Sequence, residues 1–590
     1  VKEIVVINLM RLGDLIQTTP LLRAIRRDYP QANVTLVVQD VFQETAALLP
    51  GYDRLLVMEL SRLAAQLDQG DWRGAVALVR KTLASQGDAP PDLVINVTPN
   101  KLGAMLAYVV GGRERRGFVL TGRRQFACQP HWMAYMMVIS KHRYGNPFNV
   151  VDQFTRGAGF ALTGEGVALQ VPPAAQEDMD RRLAALGVDP GACLIGLQPG
   201  ASAPVRQWPV ERLAATARQL HRELPCHFVL LGTEKERPLG EAVQVELPTG
   251  ATTSLMGQTS VAALAAAVKR LRLLITNDTG TMHVACGVET PVLAVFLATA
   301  RILDTGPTGR GHLAVAPRLD CYPCLNYQSC DSLACHQAIS PEAVAELARR
   351  RLLGEELSPL PADGPWRTLT VLAAEHDVAG YQIYRSLGRR PLDQELGWSA
   401  IMQEVWLRLL DGGGEAVVRV AQRLRATLGG EMGLTAADLD LEGVLAALER
   451  LMWLARRGQD LAGKILPRAS RLRENGPQLQ KWGLDLEGVD TAIAALGANC
   501  PQLAALVEMF MLAQRCLEES ELPQLARESY ALYGQLGEQG KIFHDILRHV
   551  SSRGMSEAEA GEGAEEAETP ILGLWGGWRE REITLAGELA

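Results

Sequence analysis

Short runs that are apolar at nearly every position alternate with amphipathic stretches through the first 350 residues of the chain. Glu3–Asn8 (EIVVIN), Val34–Val38 (VTLVV) and Leu93–Val97 (LVINV) have the make-up of strands buried on both faces, with helical stretches between them. The first of these stretches is an amphipathic helix from Leu15 to Arg27. The pattern then restarts at Cys193–Leu197 (CLIGL), Phe228–Leu231 (FVLL), Leu273–Thr276 (LLIT) and Val292–Phe296 (VLAVF), interleaved with helical Val210–Glu223 and Val261–Arg270. This predicts an α/β fold of two Rossmann-like domains, 1–170 and 171–354, whose parallel sheets face a cleft. Ligand loops are then expected at the carboxyl ends of strands on both sides.

After about residue 355 the period changes. A Pro-containing linker (SPLPADGPW) leads into helical spacing without strands, as in Leu441, Val444, Leu445, Leu448, Leu451, Met452 and in Leu503, Leu506, Val507, Phe510. An added all-α domain is expected over 355–550. The hexamer LDLEGV occurs at 439–444 and 484–489, as two helical-pair repeats or two similar helix starts would give. The acidic run Ser556–Glu568 marks 551–590 as a partly disordered tail, in which Trp575 and Trp578 suit a short docking peptide.

Composition narrows the function classes. A net charge of −8 and 5% aromatic residues argue against nucleic-acid binding. No apolar run reaches the roughly 18 residues of a membrane span, and the opening VKEIVVINLMRLGD turns polar too soon for a secretory signal. A cytoplasmic chain is expected; a peripheral membrane contact and a homo-oligomer stay open. The first strand–helix turn has one glycine where a dinucleotide fold uses three, which disfavours a nicotinamide or flavin enzyme.

The chemistry concentrates at Leu271–His283. Its strand ends in Asn-Asp-Thr-Gly and enters a helix at Thr281, where backbone N–H groups and the helix dipole favour a phosphate. Thr279 and Thr281 add hydroxyls, and Gly280 lets a ligand approach. Asp278 would repel a diphosphate and suits sugar hydroxyls beside it; the alternative is a helix cap with a structural His283. Elsewhere Cys321, Cys324, Cys330 and Cys335, with His336 adjacent, are spaced for a closed structural zinc or iron site, with disulfides or unoccupied thiols as the alternatives. Arg113, Arg115, Arg116, Arg123 and Arg124, near Lys141, His142 and Arg143, could meet a phosphorylated acceptor or an anionic membrane, or be a solvated face.

R-L-G-D-L-I-Q-T-T-P-L-L-R-A-I-R from Arg11, P-G-A-S-A-P-V-R-Q-W-P from Pro199 and T-N-D-T-G-T-M-H from Thr276 together resemble glycosyltransferase family 9, the ADP-heptose heptosyltransferases. The resemblance covers about residues 1–350. It implies a GT-B fold, an ADP-heptose donor, and inverting transfer without a catalytic metal to a hydroxyl of a glycan, a lipid-linked glycan such as lipopolysaccharide core, or a protein, at the inner face of a bacterial inner membrane. By the same resemblance Asp14 is the general base and Arg206 the cation on the leaving diphosphate. Gly13 and Ser202 line the donor site, Glu234 holds the nucleoside, and Asp278, Thr279, Gly280, Thr281 and His283 hold the diphosphate and sugar. Arg206 stands where the lipopolysaccharide enzymes usually carry Lys, keeping charge but changing geometry. The cysteine insert is similar to that of autotransporter-modifying heptosyltransferases, which binds iron. Locally, Asp14 could instead cap the helix after it, and Arg206 and Glu234 could be surface charges. The rival function is a non-catalytic nucleotide-sugar-binding scaffold acting through its helical domain.

Overall fold

The computed structural model describes residues 1–551 apart from 85–88, 121–125, 130, 325–329, 331, 362, 389–393 and 518–520. The first sheet contains β1 (Glu3–Ile7), β2 (Asn33–Gln39), β3 (Arg54–Met58), β4 (Leu93–Asn96), β5 (Glu114–Leu120) and β6 (Phe126–Gln129), in the order 3-2-1-4-5-6. Pairing is parallel from β3 to β5, with Val5 of β1 opposite Thr35 on one side and Val94 on the other. Strand order reverses between β1 and β4. The loops leaving these two strands therefore diverge to opposite faces and leave a crevice at their carboxyl ends.

The second sheet is built from β7 (Cys193–Gln198), β8 (Cys226–Leu230), β9 (Thr252–Ser254), β10 (Leu273–Asn277), β11 (Val292–Val295), β12 (Leu313–Pro317), β13 (Leu369–His376) and β14 (Gln382–Ser386), ordered 14-13-12-11-10-7-8-9. Pairing is parallel from β9 to β12, and its reversal falls between β7 and β10. Every residue of β10 is buried, as its unbroken apolar run requires. All the strands expected from the sequence are present, and the two-domain α/β architecture with an added helical region stands.

The boundary at 355 moves. β13 and β14 pair antiparallel onto β12 and extend the second sheet to Ser386. The apolar run Leu369–Ala374 is a buried strand, so the change from α/β to helical character falls after residue 388. β14 closes the edge with a cross-strand Arg385–Glu375 ion pair, a charge that discourages further pairing. By compactness, the described residues of 1–120, 128–133 and 148–388 form one unit, while those of 126–127, 134–147 and 394–551 form another. The stretch 134–147, which the sequence assigns to the first domain, thus belongs with the helices.

That second unit is built from helices Gln394–Asp411, Val417–Arg425, Leu441–Ile465, Leu472–Asn499, Pro501–Arg515 and Leu522–Ser551. Leu441–Ile465 and Leu522–Ser551 pack along each other, with the Tyr533 ring lying where a side chain at Gly458 would otherwise stand. Tyr135 of the segment 134–147 packs its ring 4.7 Å from that of Trp406 and donates to Asn146. The two LDLEGV copies differ in role. Asp440 of the first caps a helix by accepting from the Gly443 N–H, whereas the second lies inside Leu472–Asn499. The acidic run, Trp575 and Trp578 lie outside the described residues.

Candidate active site

The loop leaving β1 is held from three sides. Asn8, fully buried at the strand's end, accepts from the Met10 N–H at 2.9 Å and donates to the Thr18 hydroxyl at 2.6 Å and the Asp14 carbonyl at 3.2 Å. Gln39 at the end of β2 donates to the Leu9 carbonyl, and the Leu9 N–H donates to the Thr98 hydroxyl beyond β4. The expected helix Leu15–Arg27 is two helices, Leu12–Ile16 and Thr19–Asp28. The break falls where the Thr18 and Thr19 hydroxyls turn back onto the Asp14 and Ile16 carbonyls, just ahead of Pro20, which has no N–H to continue the ladder. Asp14 is therefore not an N-cap residue. It sits in the first turn, and its carboxylate accepts from the Arg11 N–H at 3.2 Å. Burial raises its pKa above the usual carboxylate value, the Arg11 N–H and guanidinium oppose that rise, and nearby Asp278 adds to it.

Across the crevice, Asn277 at the end of β10 organises the second half. Its amide donates to the Pro199 and Gly200 carbonyls, each at 3.0 Å, and its Oδ1 accepts from the Trp208 N–H at 2.9 Å. One buried side chain thus pins both ends of the 199–208 loop, which carries Ser202 and Arg206. Arg206 forms an ion pair with Asp278, donates to the Ser202 hydroxyl at 3.2 Å, and leaves its buried Nε without a partner. The Asp278 side chain is 6% exposed and that of Arg206 24%, so the pair is screened little. Asp278, Thr279 and Gly280 enter the helix Gly280–Gly287, with Thr279 at its N-cap position. Thr279 shares its hydroxyl with Thr276 at 3.2 Å, and Thr281 donates to the Gln198 side chain at 3.1 Å.

The two loops touch. A β-carbon on Gly13 would lie 2.8 Å from the His283 ring, and one on Gly280 would lie 3.0 Å from Leu12. Glycine at 13 is thus needed for the His283 ring to pack beneath the loop. His283 is buried, which lowers its pKa to about 4, so the imidazole is neutral; its Nδ1 has no partner. The His283 ring, expected at the donor, lies against Gly13 and so also seats the loop carrying Asp14. Glu234 pairs with Arg237 and is largely exposed on the turn after β8. Its neighbour Glu236 closes a capping box, accepting from the Thr233 N–H and hydroxyl at 2.7 and 2.8 Å, and its carboxylate fills the space beside Gly200. The pattern Thr-x-x-Glu was legible as that box; the contact with Gly200 was not.

Cys321, Cys330 and Cys335 lie near enough to Cys324 to add to the rise that burial gives its thiol pKa. All four are free thiols, and among the described residues no three His, Cys, Asp or Glu side chains are arranged to hold a metal ion. His336 is not turned to the cluster; its Nε2 bonds the Val205 carbonyl at 2.8 Å, beside Arg206. Of the basic cluster, Arg113 pairs with Asp92 and Arg116 with Glu114. Arg123 and Arg124 lie outside the described residues, and Lys141–Arg143 belong to the helical unit.

Residues 81–334 match the profile of glycosyltransferase family 9 (heptosyltransferase); Asp14 lies ahead of that stretch. Lipooligosaccharide heptosyltransferase 2 of Haemophilus influenzae is 24% identical over 311 residues, spanning 50% of this chain and 84% of that protein. Lipopolysaccharide heptosyltransferase 1 of Pseudomonas aeruginosa is 25% identical over 336 residues, spanning 55% and 86%. A crystal structure of a family 9 glycosyl transferase from Veillonella parvula shares the fold, with a TM-score of 0.50 at 23% identity over 60% of this chain and 98% of that one. Residues 81–334 thus carry the profile of glycosyltransferase family 9, and about half of the chain is similar in sequence to heptosyltransferases of lipooligosaccharide and lipopolysaccharide.

Proposed function

We propose that the chain transfers heptose from ADP-heptose to a hydroxyl of a glycan, a lipopolysaccharide core or a protein, with inversion at the anomeric carbon. The observation that carries this reading is the placement of a carboxylate, Asp14, opposite a loop bearing Arg206 and a helix N-terminus. Asp14 takes the proton of the acceptor hydroxyl as that oxygen bonds to the anomeric carbon from the face opposite the diphosphate. The bond to the diphosphate breaks, and its electrons leave with ADP. Arg206 and the N–H groups opening Gly280–Gly287 meet the charge that develops there. Asp278, once Arg206 turns to the diphosphate, is freed to accept from a sugar hydroxyl.

ADP release from ADP-heptose by the full chain, with heptose-deficient lipopolysaccharide or cell-extract protein as acceptor, tests the reading, and the anomeric configuration of the product tests inversion. Donor binding without turnover on any acceptor would favour the nucleotide-sugar scaffold. Cutting the chain near Leu357 to isolate the enzyme is unsound, because it removes β13 and β14 and uncovers β12.

The four clustered thiols are proposed to hold a structural zinc or iron, drawing together groups that otherwise repel as thiolates. Purified protein is expected to carry about one such ion per chain. Replacing Cys321 and Cys324 by Ser should release it and lower the melting temperature, while a chelator too weak to strip it leaves turnover unchanged. Elemental analysis without metal, together with four freely titrating thiols, would refute the site.

A further inference from the structure

His336 follows Cys335 in the chain, yet its ring does not serve the thiols. Nε2 lies 2.8 Å from the Val205 carbonyl oxygen, an atom that can only accept, so this nitrogen carries the hydrogen. The residue is buried in the short helix Ala334–Ala338, and its own N–H donates to the Leu333 carbonyl at 2.9 Å. A buried side chain spent on one distant backbone carbonyl fixes that piece of backbone.

Val205 is the middle residue of the turn Pro204–Arg206. Two hydrogen bonds shape this turn from within: the Arg206 N–H to the Ala203 carbonyl at 2.9 Å, and the Gln207 N–H to the Pro204 carbonyl at 3.1 Å. Neither ties it to another element. Asn277 holds the 199–208 loop at its two ends, and His336 holds it at the residue before Arg206.

The segment carrying His336 is anchored in turn. Arg212, on the helix that follows the loop, donates to the Ile339 carbonyl at 2.9 Å and to the Gln337 side chain. Cys335 and Ile339 share a core with Trp208, the last residue of the loop. On the other side, the Cys324 N–H donates to the Ala298 carbonyl beyond β11 at 2.9 Å. The support for the turn is therefore as firmly set as the sheet itself.

Arg206 needs such a support. Its guanidinium pairs with Asp278 and must leave that partner to meet a diphosphate, while the backbone beneath it stays in place. A turn free to shift would have to be ordered each time the donor binds, and a displacement of about 1 Å is costly to a charge–charge contact. We propose that His336 is a positioning residue: it fixes the backbone at Val205 so that Arg206 exchanges Asp278 for the donor diphosphate without the turn moving. The inference rests on the role proposed for Arg206.

Calorimetry with ADP and initial rates with ADP-heptose, both on the full chain, test it. His336→Leu fills much of the space but cannot donate, so ADP affinity and donor kcat/KM should each fall by about tenfold. His336→Gln places an amide N–H within reach of the same carbonyl and should recover most of both. His336→Asn is too short to reach Val205 and gives the same comparison should the Leu variant fail to fold. In an Arg206→Ala background, His336→Leu should change ADP affinity by less than about twofold, because no guanidinium remains to be positioned. Overturning results are no ADP binding by the parent, parental affinity in the Leu and Asn variants, a Gln variant no better than Leu, or an equal loss in both backgrounds, which would assign His336 to packing alone. The expected ADP pattern without turnover of ADP-heptose on any acceptor removes the transfer reading and leaves this inference standing; turnover with ADP affinity indifferent to His336 removes this inference alone.

Discussion

Asp14→Asn is expected to lower transfer by about a thousandfold or more while donor affinity changes by no more than a few-fold, because the variant keeps shape but cannot take the acceptor proton. Burial raises the Asp14 pKa, so once ionised it is a stronger base than a free carboxylate. The acid limb of the parent's kcat/KM profile should accordingly lie above the ordinary aspartate value of 3.8 and be absent from the variant. Stability should move the other way. A carboxyl whose folded pKa is raised contributes fully below its unfolded pKa, and that contribution is lost as pH rises through the folded value. Above the folded value the ionised Asp14 is therefore a cost, and there the Asn variant should melt at or above the parent. Asn can still accept from the Arg11 N–H, so the first turn survives. A variant with parental turnover would remove Asp14 as the base; one that is inactive and unfolded would make its first-turn hydrogen bond the dominant role.

The strands with unbroken apolar runs were legible because a parallel sheet covered on both sides needs them. β3, β5 and β9 were not, since their ends carry partly exposed or polar residues, and β9 is only Thr252–Ser254. β13 was missed for another reason. Its run Leu369–Ala374 is as apolar as β10, but it follows a proline-rich linker that looked like a domain boundary. At the site, the residues of 276–283 were legible from the strand-to-helix turn, and Asp14, Ser202 and Arg206 from the motifs that resemble family 9; the structure puts their loops at the reversals of strand order. Their pairings were not, because they join positions far apart in the chain. Nothing local in Arg206 or Asp278 signals that they form an ion pair 72 residues apart. Asn277 was inside a recognised motif and passed over, although an amide at a buried strand end must find several partners. Asp278 and Arg206 had been read as two separate contacts to the donor, and the ion pair makes them one.

That pairing sets what substitutions at Arg206 should do. Arg206→Ala is expected to lower kcat by about 10²–10³-fold through loss of the charge facing the leaving diphosphate. It also strands Asp278 at 6% side-chain exposure without its cation, beside Asp14. Two carboxylates without the guanidinium between them and solvent repel more strongly, so the acid limb of the remaining activity should shift to higher pH than in the parent. Arg206→Lys restores the charge and should recover part of kcat. It cannot engage Ser202 and Asp278 at once through two guanidinium nitrogens, so donor KM should stay raised. Asn277→Ala provides the complementary case. It removes no charge, but it frees both ends of the 199–208 loop and leaves the Pro199 and Gly200 carbonyls unpaired. Its defect should fall on donor KM and kcat together, with the acid limb unmoved. If Arg206→Ala turns over as fast as the parent, the diphosphate is stabilised by the helix N-terminus alone. If Asn277→Ala moves the acid limb as Arg206→Ala does, the ion pair depends on the loop being pinned, and Arg206 acts through its position rather than its charge alone.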